Sequence, residues 1–332
     1  LTMSARALNA ILPQVEKSPY EAHQKARTFA SRYVKSGQYD TAIDVLFQSA
    51  RELLKTGQAG SGVDLTVFLL EVYDTKEESV TEKSRGRLTQ LLALTGAEGT
   101  WRKTLVDKAI VWSAKYGSCP AGDPDLQRYI GELLYKDGDF VAAEPHLLAS
   151  GQRDSARMLA EMFLQWSDGE RFGLFALRGT FPYLLDGNIL AARTFIKHFV
   201  SGMPKSMPSS TNVISIGEDD EVTMTADSLV NFSQLAVVTC QRANGDQNKV
   251  ARESWVRLCG TYLSQGGPLA APEVRKALNE VAILYFAIPP PRTQAVNPFG
   301  DMFSSLFGGA APGQQARRTL QPAGASSTPE LD

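Results

Sequence analysis

The chain has 332 residues, 43% of them hydrophobic and 21% charged, which is typical of a globular protein with one large repeat array or two domains. Its net charge is −2 with both signs mixed along the chain. We therefore expect no nucleic-acid partner, because nucleic-acid binding needs a concentrated basic field.

The three cysteines are far apart and form no C-x-x-C pair, which indicates reduced core residues in a reducing compartment. The chain contains no stretch of about 20 apolar residues, and no continuous apolar run opens it. The longest apolar run, Val281–Ile288, suits a buried helix. The sequence therefore predicts a cytosolic protein that is not itself inserted in a membrane.

Helical spacing of apolar residues runs from about residue 3 to 288, interrupted by Gly, Asp or Pro. In the segment 20–35 the small and aromatic apolar residues fall on one side, while Tyr20, Arg27 and Lys35 fall on the other. Further predicted helices cover residues 38–56, 62–75, 81–95, 101–116, 124–137, 140–150, 153–167, 170–185, 188–202, 225–243, 246–265 and 271–287.

A short motif recurs where predicted helices meet. It is a turn glycine followed by a bulky residue two positions on, alanine at five and a large apolar residue at nine. Glycine can end a helix in the left-handed conformation, and alanine lets two helix axes approach closely. The copies are Gly37/Tyr39/Ala42/Leu46, Gly138/Phe140/Ala143/Leu147, Gly187/Ile189/Ala192/Ile196 and a degenerate Gly151/Arg153/Ala156/Ala160.

Helix pairs of this kind cannot bury their apolar faces alone and must stack on one another. The copies are irregularly spaced, so they resemble the tetratricopeptide class only loosely. The predicted fold class is all-α: an α-solenoid of stacked helical hairpins with one small β-hairpin insert.

That insert is predicted at residues 212–225, where β-branched residues stand on both sides of an acidic turn containing Gly217. A two-stranded hairpin is marginally stable alone. We therefore expect it to lie on the solenoid or on something that the solenoid holds.

Composition changes again after residue 288, where three consecutive prolines prevent a helix from continuing. Residues 289–332 are predicted to be a disordered tail rich in Pro and Gly. The tail contains one apolar island within Asn297–Gly309. Its spacing suits one face of a short helix or a docking motif, through Met302, Phe303, Leu306 and Phe307.

A search for chemistry finds no nucleotide-binding, zinc-protease or serine-hydrolase motif. His23, His146 and His198 lie on separate predicted helices, without a cysteine or carboxylate at metal-ligand spacing. We predict no catalytic residue, no metal and no cofactor. Two alternatives stay open: a generic helical-repeat scaffold subunit of another cytosolic complex, and a hydrolase with an unrecognised Cys or Ser site.

Surface residues are more informative than the motif search. Tyr20 stands on the polar side of its predicted helix beside Arg27 and Lys35, with His23 at the edge. An exposed aromatic beside cations is typical of an interface anchor, although a merely solvated charged face is the alternative. Asp74 ends the predicted helix 62–75 and is a lesser candidate for a contact.

Several stretches resemble one family, that of the fourth factor of the guided entry of tail-anchored proteins (Get) pathway in its fungal form. The similarity spans residues 20 to about 309 and is looser over 155–225. The matching stretches are Tyr20–Val34, Tyr39–Ile43, Gly60–Asp74, Asn231–Gln241 and Asp301–Gly309.

The resemblance implies a cytosolic adaptor with two ends of different use. Repeats within 1–150 would bind the dimeric targeting ATPase of the pathway, and repeats within 151–288 would grip the ubiquitin-like fifth Get factor. The assembly would bridge a small glutamine-rich chaperone cofactor, which carries a tail-anchored client, to the ATPase. The client would then be inserted into the endoplasmic reticulum membrane.

The same resemblance suggests which residues make the contacts. The ATPase-docking residues would be Tyr20, His23, Arg27 and Lys35, with Asp74 as a regulatory contact. The ubiquitin-like partner would be gripped by Ile214, Ile216, Val222, Met224, Phe232 and Leu235. We expect the second contact to be more apolar and longer-lived than the first.

Overall fold

The structure is a computed structural model that describes residues 2–167, 169, 171–204, 213–216 and 220–289. These residues form fourteen α-helices, two short 3-10 turns and one two-stranded antiparallel sheet. The chain divides into two compact units, Leu1–Met158 and Leu159–Asp332.

The described residues of the first unit form helices joined by loops, without a β-strand. In α2, Ala22, Ala26 and Ala30 are completely buried, so the predicted apolar stripe is the packed side of that helix. Consecutive helices pack as hairpins, as α2 does with α3 and α7 with α8. Its helices are α1 Met3–Ile11, α2 Pro19–Lys35, α3 Tyr39–Lys55, α4 Ala59–Lys76, α5 Glu82–Leu94, α6 Trp101–Tyr116, α7 Pro124–Lys136 and α8 Phe140–Ser150.

Helix α9, Arg153–Trp166, contains the division between the units. The second unit has a core rich in aromatic rings, among them Phe163, Phe195 and Phe232. Its remaining elements are α10 Phe172–Leu185, α11 Ile189–Gly202, β1 Val213–Ser215, β2 Glu221–Thr223, α12 Ser228–Gln241, α13 Lys249–Leu263 and α14 Pro272–Phe286.

The predicted helix-junction motif is confirmed. Gly37 and Gly138 have φ values of 72° and 81°, in the left-handed region that favours glycine at a helix end. The motif alanines Ala42, Ala143 and Ala192 are completely buried. Small residues at these positions let the paired helices approach closely, as predicted.

A glycine makes a close approach possible in one of these hairpins. A Cβ added to Gly131 of α7 would lie 2.7 Å from Cδ2 of Leu147, the large apolar residue of the motif on α8. That distance is shorter than van der Waals contact, so Leu147 occupies the space that a side chain at position 131 would need.

Stacked hairpins in each unit and one small β-hairpin confirm the predicted fold class. Predicted helices match the observed ones within a few residues at each end. The largest differences are three residues, at the starts of α4, α12 and α13, which were predicted at 62, 225 and 246 and are observed at Ala59, Ser228 and Lys249. Asp227 caps α12 by accepting hydrogen bonds from the backbone N–H groups of Leu229 and Val230. Residues 290–332, nearly all of the predicted tail, lie outside the described residues.

Candidate functional site

The outer side of α2 carries the first candidate surface. Tyr20 is 72% exposed, and Lys35 at the other end of the helix is also exposed. His23 and Arg27 lie between them, each partly buried. The predicted orientation of α2 is therefore confirmed, with its alanines packed and Tyr20, Arg27 and Lys35 on the outer side.

A carboxylate that the sequence analysis missed, that of Asp64, binds two side chains of this surface. His23 donates a hydrogen bond from Nε2 to Oδ2 of Asp64 on α4, at 2.7 Å. Arg27 donates to the same oxygen from Nη1, at 2.5 Å, and its guanidinium carbon lies 5.3 Å from the ring centroid of Phe68. We call Tyr20, His23, Arg27, Lys35 and Asp64 together the α2–α4 surface.

The charge state of Asp64 follows from these contacts. Burial acts to raise the pKa of Asp64, but hydrogen bonds from His23 and Arg27 outweigh it and hold that pKa below its usual range. Asp64 therefore stays ionised near neutral pH and keeps the side chains of His23 and Arg27 in fixed orientations. No local pattern could have revealed it, because Asp64 is on a different helix from its partners.

Asp74, the fifth predicted ATPase-docking residue, lies on the last turn of α4. Lys115 donates to Oδ1 of Asp74 at 2.6 Å, and the Tyr116 hydroxyl donates to the same oxygen at 2.8 Å. These hydrogen bonds lower the pKa of Asp74. At a rise of 1.5 Å per residue, Asp64 and Asp74 are about 15 Å apart along the helix axis. Asp74 is thus a separate, internally paired feature.

The second candidate surface is the β-hairpin, whose strands pair Val213 with Thr223 and Ile214 with Val222. The predicted hairpin is confirmed for the described residues, while 212 and 217–219 lie outside them. It lies on the helices of its own unit, which is one of the two placements expected from its marginal stability.

Two amide side chains of α12 attach the hairpin to that helix. Gln234 accepts from the Thr223 N–H at 3.1 Å and donates to the Thr223 carbonyl at 2.8 Å. Asn231 makes the same pair of bonds with Thr225, both at 2.8 Å. Each amide therefore satisfies one backbone N–H and one backbone carbonyl, in β2 for Gln234 and just after it for Asn231.

A buried carboxylate holds the other end of the hairpin. Asp220 lies directly before β2, and its Oδ1 is 3.0 Å from Nη2 of Arg193 on α11. Its Oδ2 is 3.6 Å from Nη2 of Arg242 and accepts a hydrogen bond from Gln241. The hairpin is therefore fixed at both of its described ends by polar side chains.

The six predicted hairpin-surface residues divide into two groups. Ile214 is 46% exposed, while Ile216, Met224 and Leu235 are half-buried, so these four can be reached from outside. Val222 and Phe232 are 1% and 0% exposed and belong to the core beneath. The Phe232 ring packs against Phe181, with centroids 6.2 Å apart. We call the four accessible residues the hairpin surface.

The described ranges contain no group of three or more His, Cys, Asp or Glu side chains that could hold a metal ion. His146 pairs with Gln127 and His198 with Glu161, so the histidines have separate partners. Burial raises the pKa of the Cys259 thiol to about 12. A thiol in such surroundings stays protonated, unlike an activated nucleophile. No helix among the described residues is both long and apolar enough to cross a bilayer.

Fold and surfaces together define the class: an all-helical repeat protein built from stacked hairpins, with a cationic surface on one unit and an apolar hairpin surface on the other. The family model described as Golgi to ER traffic protein 4 matches residues 36–307. The chain therefore belongs to the Golgi to ER traffic protein 4 family, which confirms the resemblance drawn from the sequence.

Individual relatives agree with that assignment. Golgi to ER traffic protein 4 of Aspergillus fumigatus is 31% identical, over 99% of this chain and 97% of that protein. The Schizosaccharomyces pombe protein of the same name is 29% identical, over 89% of this chain and 93% of its own length. The crystal structure of C. therm. Get4 superposes with a TM-score of 0.79 at 31% identity, covering 96% of this chain and all of that one.

Proposed function

We propose that this chain is a non-enzymatic cytosolic adaptor in the targeting of tail-anchored proteins to the endoplasmic reticulum. It bridges a targeting ATPase to a ubiquitin-like partner, and through that partner to a client-loaded, glutamine-rich chaperone cofactor. The observation that carries the proposal is family membership across nearly the full chain, with relatives named as Golgi to ER traffic proteins. The two surfaces suggest where each partner binds.

The α2–α4 surface is the proposed docking site of the ATPase. Its exposed aromatic ring and the cationic side chains of Arg27 and Lys35 can anchor a partner with a complementary acidic surface. Asp64 fixes His23 and Arg27 before binding, which reduces the ordering cost of association. Because the groups are charged and near water, affinity should fall as salt rises.

Asp74 is the proposed regulatory contact to a basic residue of the ATPase. It is paired with Lys115 in the free chain, so a basic residue of the partner would have to replace that lysine. In the complex, an ion pair between Asp74 and the basic residue of the ATPase would replace the exposed ion pair between Asp74 and Lys115. Contact at Asp74 should therefore change the response of the ATPase more than it changes total affinity.

The hairpin surface is the proposed grip on the ubiquitin-like partner. Ile214, Ile216, Met224 and Leu235 supply apolar contact, and the buried Val222 and Phe232 support them from beneath. Burying apolar side chains favours slow dissociation more than it speeds encounter. This arrangement suits a partner that stays bound while clients and the ATPase exchange.

One experiment tests the ATPase site by charge reversal. Arg27→Glu removes the cation that Asp64 orients and should weaken ATPase binding on the order of 10-fold, measured by calorimetry in 50 mM salt. Glu98→Lys, in the exposed loop between α5 and α6, is a matched reversal that should leave binding unchanged. Equal affinity of the wild type and Arg27→Glu would reject the α2–α4 surface as the docking site.

A second experiment tests the hairpin surface. Ile214→Asp places a charge on the exposed side of β1 and should loosen the ubiquitin-like partner on the order of 10-fold, with ATPase binding retained. Leu190→Asp, on an exposed position of α11, is the matched control. Deletion of residues 212–224 should release the partner further. Unchanged affinity for the ubiquitin-like partner after that deletion would show that the hairpin does not bind this partner.

A further inference from the structure

The α2–α4 surface continues onto helix α6. Trp101, the first residue of α6, is 45% exposed. A Cβ added to Gly60, in the first turn of α4, would lie 3.7 Å from Cζ2 of the Trp101 ring, which is ordinary van der Waals contact. Gly60 is one helical turn before Asp64, about 6 Å along the axis of α4. The exposed indole ring therefore borders the part of α4 that binds His23 and Arg27.

Helices α2 and α4 run in the same direction. His23 of α2 contacts Asp64 of α4, and one turn further along each helix Arg27 lies over the ring of Phe68. Successive turns of α2 thus meet successive turns of α4. Tyr20, which precedes His23 by three residues, consequently lies at the end of α2 that is next to the first turn of α4.

Helices α4 and α6 are parallel as well. Trp101 meets Gly60 in the first turns of the two helices, and Lys115 pairs with Asp74 in their last turns. Helix α4 packs against both α2 and α6. The exposed rings of Tyr20 and Trp101 therefore stand at the same end of three parallel helices, with the first turn of α4 between them.

The residue after Trp101 fixes this end of α6. Arg102 is buried and donates to the Thr95 carbonyl at the end of α5, from Nε at 2.9 Å and also from Nη2. Its Nη1 forms an ion pair with Asp137, directly after α7. The first turn of α6 is thus tied to two neighbouring helices. An exposed ring on a fixed backbone loses less conformational entropy when a partner covers it than a ring on a mobile loop.

The glycine beside the ring leaves open space. Gly62 of α4 has no room for a side chain, because an added Cβ would lie 2.5 Å from Cγ of Leu54. At Gly60, by contrast, the described residues place one atom within 4 Å of an added Cβ, and it belongs to Trp101. Packing of the fold does not require a glycine there. We call Tyr20, Gly60 and Trp101 together the aromatic notch.

We propose that the aromatic notch binds an apolar side chain of the targeting ATPase, next to the acidic surface that Arg27 and Lys35 contact. This inference rests on the proposed docking of the ATPase at the α2–α4 surface, with which the notch is continuous. Single exposed apolar residues are common on protein surfaces, whereas interfaces combine aromatic anchors with a charged rim. The notch supplies the part of the affinity that does not depend on salt, and the cationic side chains supply the part that does.

Truncation of the ring tests the notch by calorimetry with the purified ATPase. Trp101→Ala should weaken binding on the order of 10-fold, and Trp101→Phe, which keeps an aromatic ring, should recover most of the affinity. The loss in Trp101→Ala should be equal at about 50 mM and about 300 mM salt, whereas the loss in Arg27→Glu should shrink at the higher concentration. Leu190→Ala removes an exposed apolar side chain of the second unit and should leave the affinity unchanged.

Filling the notch is an independent test. Gly60→Gln adds a neutral side chain that the fold can accommodate, and it should weaken ATPase binding on the order of 10-fold by occupying the space beside Trp101. Gly86→Gln is the matched control, because Gly86 lies within α5 and no described atom is within 4 Å of its added Cβ. That variant should bind the ATPase as the wild type does.

Fluorine NMR reports on the ring itself. The chain has four tryptophans, and after incorporation of 5-fluorotryptophan the resonance that is missing from Trp101→Phe belongs to Trp101. This resonance should shift when the ATPase is added. The resonance of Trp112, which is 4% exposed, should keep its position and serves as the internal control.

The outcomes separate the notch from the docking site. If Trp101→Ala binds as tightly as the wild type while Arg27→Glu binds weakly, the notch is wrong and the docking site stands. If both variants bind as tightly as the wild type, the docking site is wrong, and the notch with it. A loss in Trp101→Ala together with an unshifted Trp101 resonance and full binding of Gly60→Gln would make Trp101 a structural residue and reject the notch.

Discussion

The α2–α4 surface and the hairpin surface are built in opposite ways. On the first, charged side chains stand on helices whose backbone hydrogen bonds are complete without them. Asp64 orients His23 and Arg27, but α2 and α4 pack through other residues, such as Ala26. On the second, the backbone of the hairpin depends on the side chains Asn231 and Gln234.

Because of this difference, substitutions on the two surfaces should affect different properties of the protein. Substitutions on the α2–α4 surface should change affinity and salt dependence while the fold stays nearly constant. Substitutions under the hairpin surface should change local stability first and affinity as a consequence. The following predictions test that contrast, starting with the largest expected effect.

The largest effect is expected for Asn231→Ala. It removes the acceptor for the Thr225 N–H and the donor to the Thr225 carbonyl, leaving partly buried polar groups unsatisfied. The hairpin should lose about 1–3 kcal/mol of local stability, measured by hydrogen exchange of residues 221–225. Gln265→Ala, an exposed amide after α13, should have no such effect. Unchanged exchange in Asn231→Ala would show that the β-hairpin holds without the amide.

A smaller effect is expected at Asp64, and it depends on pH. The pKa of Asp64 is lowered in the folded chain, so its contribution to stability is present above its unfolded pKa of about 3.9 and is lost as pH falls through the folded pKa. Because Asp64 is partly exposed, Asp64→Asn should cost about 0.2–1 kcal/mol at pH 7.

Urea unfolding at pH 7 and pH 3 checks this prediction. The difference between the wild type and Asp64→Asn should shrink at pH 3, because below the unfolded pKa the stabilisation by the ionised carboxylate is progressively lost. A difference that grows on acidification would contradict the assigned contacts. Glu21→Gln, an exposed carboxylate on α2, should show little difference at either pH.

The smallest effect is expected for the exposed pair of Asp74 and Lys115. Asp74→Asn breaks an ion pair that is open to water on both sides, so the melting temperature should not change measurably in 0.15 M salt. ATPase stimulation or inhibition by the chain should nevertheless change if Asp74 is a regulatory contact. A clear drop in melting temperature would instead make Asp74 a structural residue.

The helices, the helix-junction motif and the β-hairpin could be predicted from the sequence because they depend on residues that are close together in the chain. Helical spacing, the turn glycines Gly37 and Gly138 and the buried motif alanines depend on residues close together in the chain. The β-hairpin follows from β-branched runs around one turn for the same reason. The exposure of Tyr20 was predictable as well, because it stands opposite the alanine stripe of its own helix.

The tertiary structure decided which side chains meet across elements. It brought Asp64 to His23 and Arg27, paired Asp74 with Lys115, and placed Asn231 and Gln234 against the strand backbone. It also buried Phe232 and Val222, which periodicity within one strand or helix cannot distinguish from partner-facing residues. The physical reason is that periodicity determines which face a residue occupies, whereas the contacts of that face depend on packing between segments that are distant in sequence.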